Sequence, residues 1–215
     1  MTLNVAFVAF DGFNEIDSFV GLHLFGRLRR SGVEVTLTGP TPALSSVNGV
    51  TVTNVQPLES TADADVVLIG SGIATPSVST DLGQIGRLRL DPSRQLVGSQ
   101  CSGALILHAL GLADGAPICT DARTRPMLVE RSANAIEAPL YVKGNVASAG
   151  GCLASIYLSA WAITRILGWS HAEHALRQVA PVGEEADWIA RTKRTVSRFE
   201  PIGASGQPDA VKPDR

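Results

Sequence analysis

The stretch that most constrains this chain runs from Val97 to Gly111, VGSQCSGALILHALG. A short apolar β-type run, Gln95 to Ser99, stops just before Cys101. An apolar helical run, Ala104 to Leu110, begins directly behind it and ends at Gly111, a residue suited to the position after a helix. Gly98, Ser99, Ser102, Gly103 and Ala104 keep the junction small. This pattern suits a sharp strand-to-helix turn, where bulk beside a nucleophile would clash. A cysteine at that turn faces the positive end of a helix dipole and first-turn N–H groups, which favour the thiolate, the reactive form. The same local sequence also allows Cys101 to be a small buried hydrophobe, the usual fate of a free cysteine.

The remainder of the chain reads as strands alternating with helices. Val5 to Phe10, Val33 to Thr38 and Val66 to Ile69 are apolar runs of the kind buried on both faces of a parallel sheet. Ser18 to Arg30 reads as a helix with a basic last turn, and Thr80 to Leu90 as another. Ser45 to Asn54 alternates around Asn48-Gly49, and Leu140 to Ser148 around Lys143-Gly144-Asn145, both hairpin signals. Pro117 to Thr120 reads as a short strand. Helices are expected from about Cys152 to Leu167, from Ser170 as cap through Val179, and over Trp188 to Phe199. With 21 glycines and 45% hydrophobic residues, the composition suits aliphatic strands joined by tight turns. The expected fold is a three-layer α/β sandwich, flavodoxin-like, with a mostly parallel sheet. One domain is expected over residues 1–200, with a disordered Pro-, Gly- and Asp-rich tail over 201–215.

Charge narrows the partners. A net charge of −2 with 18% charged residues leaves no basic footprint for nucleic acid. The longest apolar helix carries Ser155, Ser159, Thr164 and Arg165, too polar for a membrane span. The N-terminus has no basic region ahead of an apolar stretch, so no signal peptide is expected. Three cysteines without framework spacing point to a reducing cytoplasm.

In open α/β sheets, ligands bind beyond the carboxyl ends of the strands. Three junctions are expected there: Asp11 to Ser18, Gly70 to Ala74, and Cys101-Ser102. They offer an acid, backbone donors and a nucleophile. Glu15 and Asp17 lie just before a helix, and Asp17 follows the apolar Ile16. A carboxyl group buried near a thiol would have its pKa raised and could donate a proton, although acids are favoured at helix starts in any case. Ser71 or Gly72 could present an N–H to a developing anion with Ser102 N–H as partner, or form an ordinary turn. His171 and His174 are spaced for a metal but lack further ligands, so no metal site is expected. No histidine follows Cys101, so no Cys–His pair is evident. Cys152, after Gly150-Gly151, reads either as a small packing residue or as a thiol that condenses with oxidised Cys101. Cys119 reads as core.

Phe10-Asp11-Gly12, Ile16-Asp17, Gly70-Ser71-Gly72, Cys101-Ser102-Gly103-Ala104-Leu105 and Gly150-Gly151 together resemble the ThiJ/PfpI superfamily. This is a flavodoxin-like group related to the class I glutamine amidotransferases, and the resemblance spans about residues 4–180. Within it the chain looks most like the isocyanide hydratases, which pair a cysteine with an aspartate after Leu or Ile and place Thr or Ser after the cysteine. Asp17, Cys101 and Ser102 match those positions. The protease-like branch has His after the cysteine, and the amidotransferases need a Cys–His–Glu set absent here. The chain departs from the hydratase pattern at Val20-Gly21, at Ile73-Ala74, at Asp121 where a His is common, and at Cys152 where an aliphatic residue is usual.

The resemblance implies a cysteine-dependent hydratase or hydrolase acting on a small molecule such as an isonitrile. Cys101 would be the nucleophile and Asp17 the proton-exchanging acid. Ser71, Gly72 and Ser102 would supply backbone donors, and Glu15, Ile73, Asp121 and Cys152 would line the pocket. It implies no cofactor and a homodimer. The alternative reading is a redox-responsive stress protein that senses oxidants at Cys101 without turnover.

Overall fold

In the computed structural model, which describes residues 2–202, the chain runs as follows. It forms β1 (Leu3–Val8), α1 (Glu15–Gly26), β2 (Val33–Gly39), β3 (Ala43–Ser45), β4 (Thr51–Thr53), β5 (Gln56–Pro57) and β6 (Val66–Ile69). Next come α2 (Thr75–Val78), α3 (Leu82–Ile85), β7 (Leu96–Gln100), α4 (Ala104–Ala109), β8 (Ile118–Cys119), α5 (Arg125–Glu130) and β9 (Ala135–Ile136). A hairpin of β10 (Leu140–Lys143) and β11 (Val146–Ala149) precedes α6 (Ser155–Leu167), α7 (Trp169–Arg177) and α8 (Glu185–Val196).

Seven strands form one sheet in the order β10-β11-β7-β6-β1-β2-β5. Every neighbouring pair is parallel except β10 with β11. This is the flavodoxin-like α/β fold expected from the buried apolar runs. Alternation along each strand sends successive side chains to opposite faces. Val5, Phe7 and Leu68 join a core with α1, α6, α7 and α8, while Ala6, Val8 and Ile69 join a second core with residues of α2 to α5. Fully buried side chains such as Phe7 and Leu158 each stabilise the fold by on the order of 1.5–3 kcal/mol.

Several boundaries differ from the sequence expectation. Helix α1 begins at Glu15, not Ser18, because Asn14 caps it: its side-chain oxygen accepts the Ile16 N–H. Glu15 and Asp17 therefore sit in the first turn rather than before it. The single helix expected over 80–90 shortens to α3, and a further short helix, α2, precedes it. Pro76 opens α2, and the Asp81 side chain caps α3. Ser170 lies inside α7, whose N-cap is Gly168. Helix α5 and strand β9 were not expected; Pro126 lies in the first turn of α5, where its missing N–H does no harm. Strand β8 pairs with β9 in a separate two-stranded sheet. At the C-terminal end Arg165 Nε pairs with Glu200, and Ile202 packs on the first core. Of the expected tail, residues 203–215 lie outside the described residues.

Candidate active site

The carboxyl end of β7 leads straight into a strained turn. Cys101 has φ +51°, a conformation that residues other than glycine rarely adopt. It opens a 3₁₀ turn, Cys101–Gly103, that continues into α4. Thr120 Oγ1 donates to the Cys101 carbonyl at 2.8 Å and holds the turn from across the site. Gly103 packs against the end of β6 so closely that a Cβ would lie 2.6 Å from the carbonyl oxygens of Ile69 and Gly70. The neighbouring loop shows the same constraint, since a Cβ on Gly72 would lie 2.5 Å from the Gly12 carbonyl oxygen. The small residues of the sequence are thus demanded by backbone approach.

The Cys101 sulfur lies at the floor of a cavity of about 650 Å³. Val47, Ile73, Pro76, Ala122 and Met127 give that cavity an apolar wall. The thiol is 8% exposed and donates a hydrogen bond to Asp121 Oδ2 at 3.1 Å. Burial pushes its pKa well up, and the Asp121 carboxylate pushes it further. The expected dipole-stabilised thiolate is therefore corrected: the resting group is a thiol. Helix α4, with six residues, is too short and too buried at its start to outweigh that cost.

Asp121 is held for this contact. Its Oδ1 accepts the backbone N–H groups of Arg123 at 2.9 Å and Thr124 at 3.0 Å. Burial raises its pKa, but the hydrogen bonds from Thr124, Cys101 and Arg123 outweigh that and leave it below the ordinary carboxylate value. An ionised acceptor thus sits against a protonated sulfur.

Asp17 occupies a different side of the same sulfur. It is fully buried in the first turn of α1, and burial pushes its pKa up to about 6, against hydrogen bonds that lower it. Its Oδ2 accepts from Ser71 Oγ at 2.5 Å, while Oδ1 has no partner. A carboxylate oxygen of Asp17 and the sulfurs of Cys101 and Cys152 all lie within 4.8 Å of one another. Cys152 Sγ is 4.0 Å from Cys101 Sγ and accepts from Asn14 Nδ2 at 3.3 Å.

The other sequence-nominated residues divide. Ser71, Gly72, Ser102, Ile73, Asp121 and Cys152 line the cavity, with Ile73 largely exposed at its rim. Gly72 N–H points to Ser102 Oγ at 3.3 Å, so the two donor candidates face one another across the site. Glu15 is corrected: it does not line the cavity. Its carboxylate instead accepts from Ser46 Oγ and, at 3.0 Å, from Asn48 Nδ2, tying the β3–β4 hairpin to α1. Cys119 is fully buried in β8, its pKa raised to about 11 by burial. None of the four histidines lines the cavity. His171 Nδ1 lies 2.8 Å from the Leu167 carbonyl oxygen and His174 Nε2 lies 2.6 Å from Gln178 Nε2, so the pair is not aimed at a shared ligand.

Sequence reasoning missed Asn14, Thr120 and Arg123 and gave Asp121 no role on the thiol. One local signal existed: an Asp followed two and three residues later by Arg123 and Thr124 ahead of a Pro-opened helix is an Asx-turn pattern that fixes a carboxylate. Nothing local could show that its second oxygen reaches Cys101.

No protein-family model matches the chain, and no curated protein matches it. Solved structures do share its fold. A ThiJ/PfpI family protein from Pseudomonas syringae superposes with a TM-score of 0.72 at 20% identity, covering 92% of this chain and 89% of its own. A cysteine-to-alanine mutant of a DJ-1 superfamily protein from Salmonella typhimurium gives 0.70 at 20% identity, covering 83% and 98%. Drosophila melanogaster DJ-1beta gives 0.69 at 20% identity, with the same two coverages of 83% and 98%. The structural neighbours are thus ThiJ/PfpI and DJ-1 superfamily proteins, and the likeness establishes the flavodoxin-like fold.

Proposed function

We propose that the protein is a cysteine-dependent hydratase that converts a small isonitrile to an N-substituted formamide. The observation that carries this reading is the contact between the Cys101 thiol, strained at φ +51° on the cavity floor, and the Asp121 carboxylate 3.1 Å away. A buried thiol is a poor nucleophile, and an ionised carboxylate in contact with it removes the proton only as the new bond forms. Sulfur then bonds to the isocyano carbon. That carbon takes up a proton from Asp17, whose burial favours its protonated form. The product of this step is a thioimidate. Ser102 N–H would stabilise the developing negative charge, joined by Gly72 N–H once it turns from Ser102 Oγ, to which it donates at 3.3 Å. Water adds to the thioimidate carbon and gives one proton to Asp17, while the proton held by Asp121 goes to nitrogen. Collapse then breaks the C–S bond, releases the formamide and passes the remaining hydroxyl proton to sulfur. The apolar wall of Val47, Ile73, Pro76 and Met127 suits an uncharged, hydrophobic isonitrile substituent.

A panel of isonitriles, nitriles, amides and methylglyoxal tests the reading. Hydration of an isonitrile is expected, and Cys101→Ala should lower it to background. Full activity in that variant overturns the scheme.

One observation favours a second reading. The 4.0 Å separation of the Cys101 and Cys152 sulfurs suits a peroxide-responsive pair. A hydroperoxide would oxidise Cys101 to a sulfenic acid, and Cys152 would displace water to form a disulfide. A protein that forms this disulfide and hydrates no isonitrile has the redox role.

A further inference from the structure

Asp17, Cys101 and Cys152 bring together two thiols and a carboxyl group, with no cation among the described residues that line the cavity except Arg123 at its edge. Two features of this cluster point to a ligand other than a substrate. The first is Asp17 Oδ1, an acidic oxygen on a fully buried side chain with no hydrogen-bond partner. A buried polar atom of this kind is costly unless something pairs with it. The second is the sulfur spacing. Zinc binds thiolate sulfur at about 2.3 Å in a tetrahedron, so two cysteine ligands of one ion stand about 3.8 Å apart. The sulfurs of Cys101 and Cys152 are already 4.0 Å apart.

We propose that Asp17, Cys101 and Cys152 form a binding site for one thiophilic divalent cation of the zinc class. Binding forms two metal–sulfur bonds and one metal–oxygen bond, and the two thiol protons and the proton of the Asp17 carboxyl group leave to solvent. The metal–oxygen bond gives Asp17 the partner it lacks. Three protein ligands leave a fourth position, which faces the cavity and is available to water. Asn14, whose side-chain amide already touches the Cys152 sulfur at 3.3 Å, supports the ligand from outside. The cation reaches the site through the same opening as a substrate. The site does not depend on the hydratase reading: an ion on Cys101 occupies the nucleophile, so the loaded protein is the form that does not attack an electrophile.

Cobalt(II) is the probe, because tetrahedral thiolate coordination gives it a charge-transfer band and intense visible absorption. Reduced full-length protein, held with a non-chelating phosphine, is titrated with cobalt(II) and then with zinc(II). One equivalent of cobalt per chain should give both absorptions, and zinc should displace it. Cys101→Ser, Cys152→Ser and Asp17→Asn should each weaken binding by at least the ~10–100-fold typical of changes in supporting residues, whereas Cys119→Ser should bind as the parent does. A second measurement needs no variant: zinc should protect Cys101 and Cys152 from alkylation located by peptide mass. No charge-transfer band, or a band that survives loss of either Cys101 or Cys152, overturns the proposal. So does alkylation of Cys101 and Cys152 at an unchanged rate in zinc.

Discussion

At the scale of single residues, chemistry is set by which acid touches which sulfur. Asp121 sets a negative charge against the Cys101 thiol and, in the proposed reaction, would accept its proton, two effects with opposite consequences. At rest the carboxylate disfavours the thiolate, so it raises the thiol pKa; in the proposed attack it would be the base. Asp121→Asn should separate these effects. With the charge gone, the alkylation of Cys101 by iodoacetamide should shift to lower pH and run faster near neutrality, while isonitrile hydration slows. Parallel loss of both would mean that Asp121 instead ionises the resting cysteine. The sequence made Cys101 and Asp17 legible, because a small-residue elbow and an acid after an apolar residue are local patterns. Asp121 was legible only as a departure from the hydratase pattern. Its role depends on a contact across 20 residues that only folding creates. Glu15 shows the converse: its position two residues before Asp17 suggested the pocket, but two residues along a helix turn a side chain by about 200°, here toward the hairpin.

At the scale of elements, the elbow works because the Cys101–Gly103 turn and the end of β6 touch backbone to backbone. Gly103 is the point of contact, and any Cβ there meets two carbonyl oxygens at 2.6 Å. Gly103→Ala should cost about 1–3 kcal/mol, as overpacking does, and should displace the turn that aims the Cys101 sulfur. A fall in denaturation midpoint together with slower alkylation of Cys101 is the expected outcome; an unchanged midpoint would mean that the contact is slack. The strands at this scale were legible, since β1, β6 and β7 are short apolar runs bounded by turn residues. Short helices were not. The run from Thr80 to Leu90 has an apolar spacing that fits one helix, but Asp81 restarts the chain and Gly86 ends α3. Helix α5 escaped notice because Pro126 reads as a breaker until its first-turn position is known. Propensity and periodicity lose to capping when a helix is only one or two turns long.

At the scale of the whole molecule, the parallel sheet collects at one edge residues that are far apart in the chain. Asp17 leaves β1 on α1, Ser71 and Gly72 follow β6, Cys101 follows β7, Asp121 follows β8 and Cys152 follows β11. The alternating strand and helix pattern foretold that such an edge would exist, and the resemblance named several residues expected there. Their mutual distances were not legible, because they depend on strand order and on the separate β8–β9 pair that carries Asp121 into place. The central claim is that Cys101 attacks carbon and holds the substrate covalently before water releases it. The most direct test is rapid quenching of a single turnover with an isonitrile, followed by mass spectrometry of the intact protein and its peptides. The account predicts a transient gain of one isonitrile mass on the peptide bearing Cys101, decaying as formamide appears. Formamide produced with no adduct at any time, or with the adduct on Cys152 or Cys119 instead, would contradict it.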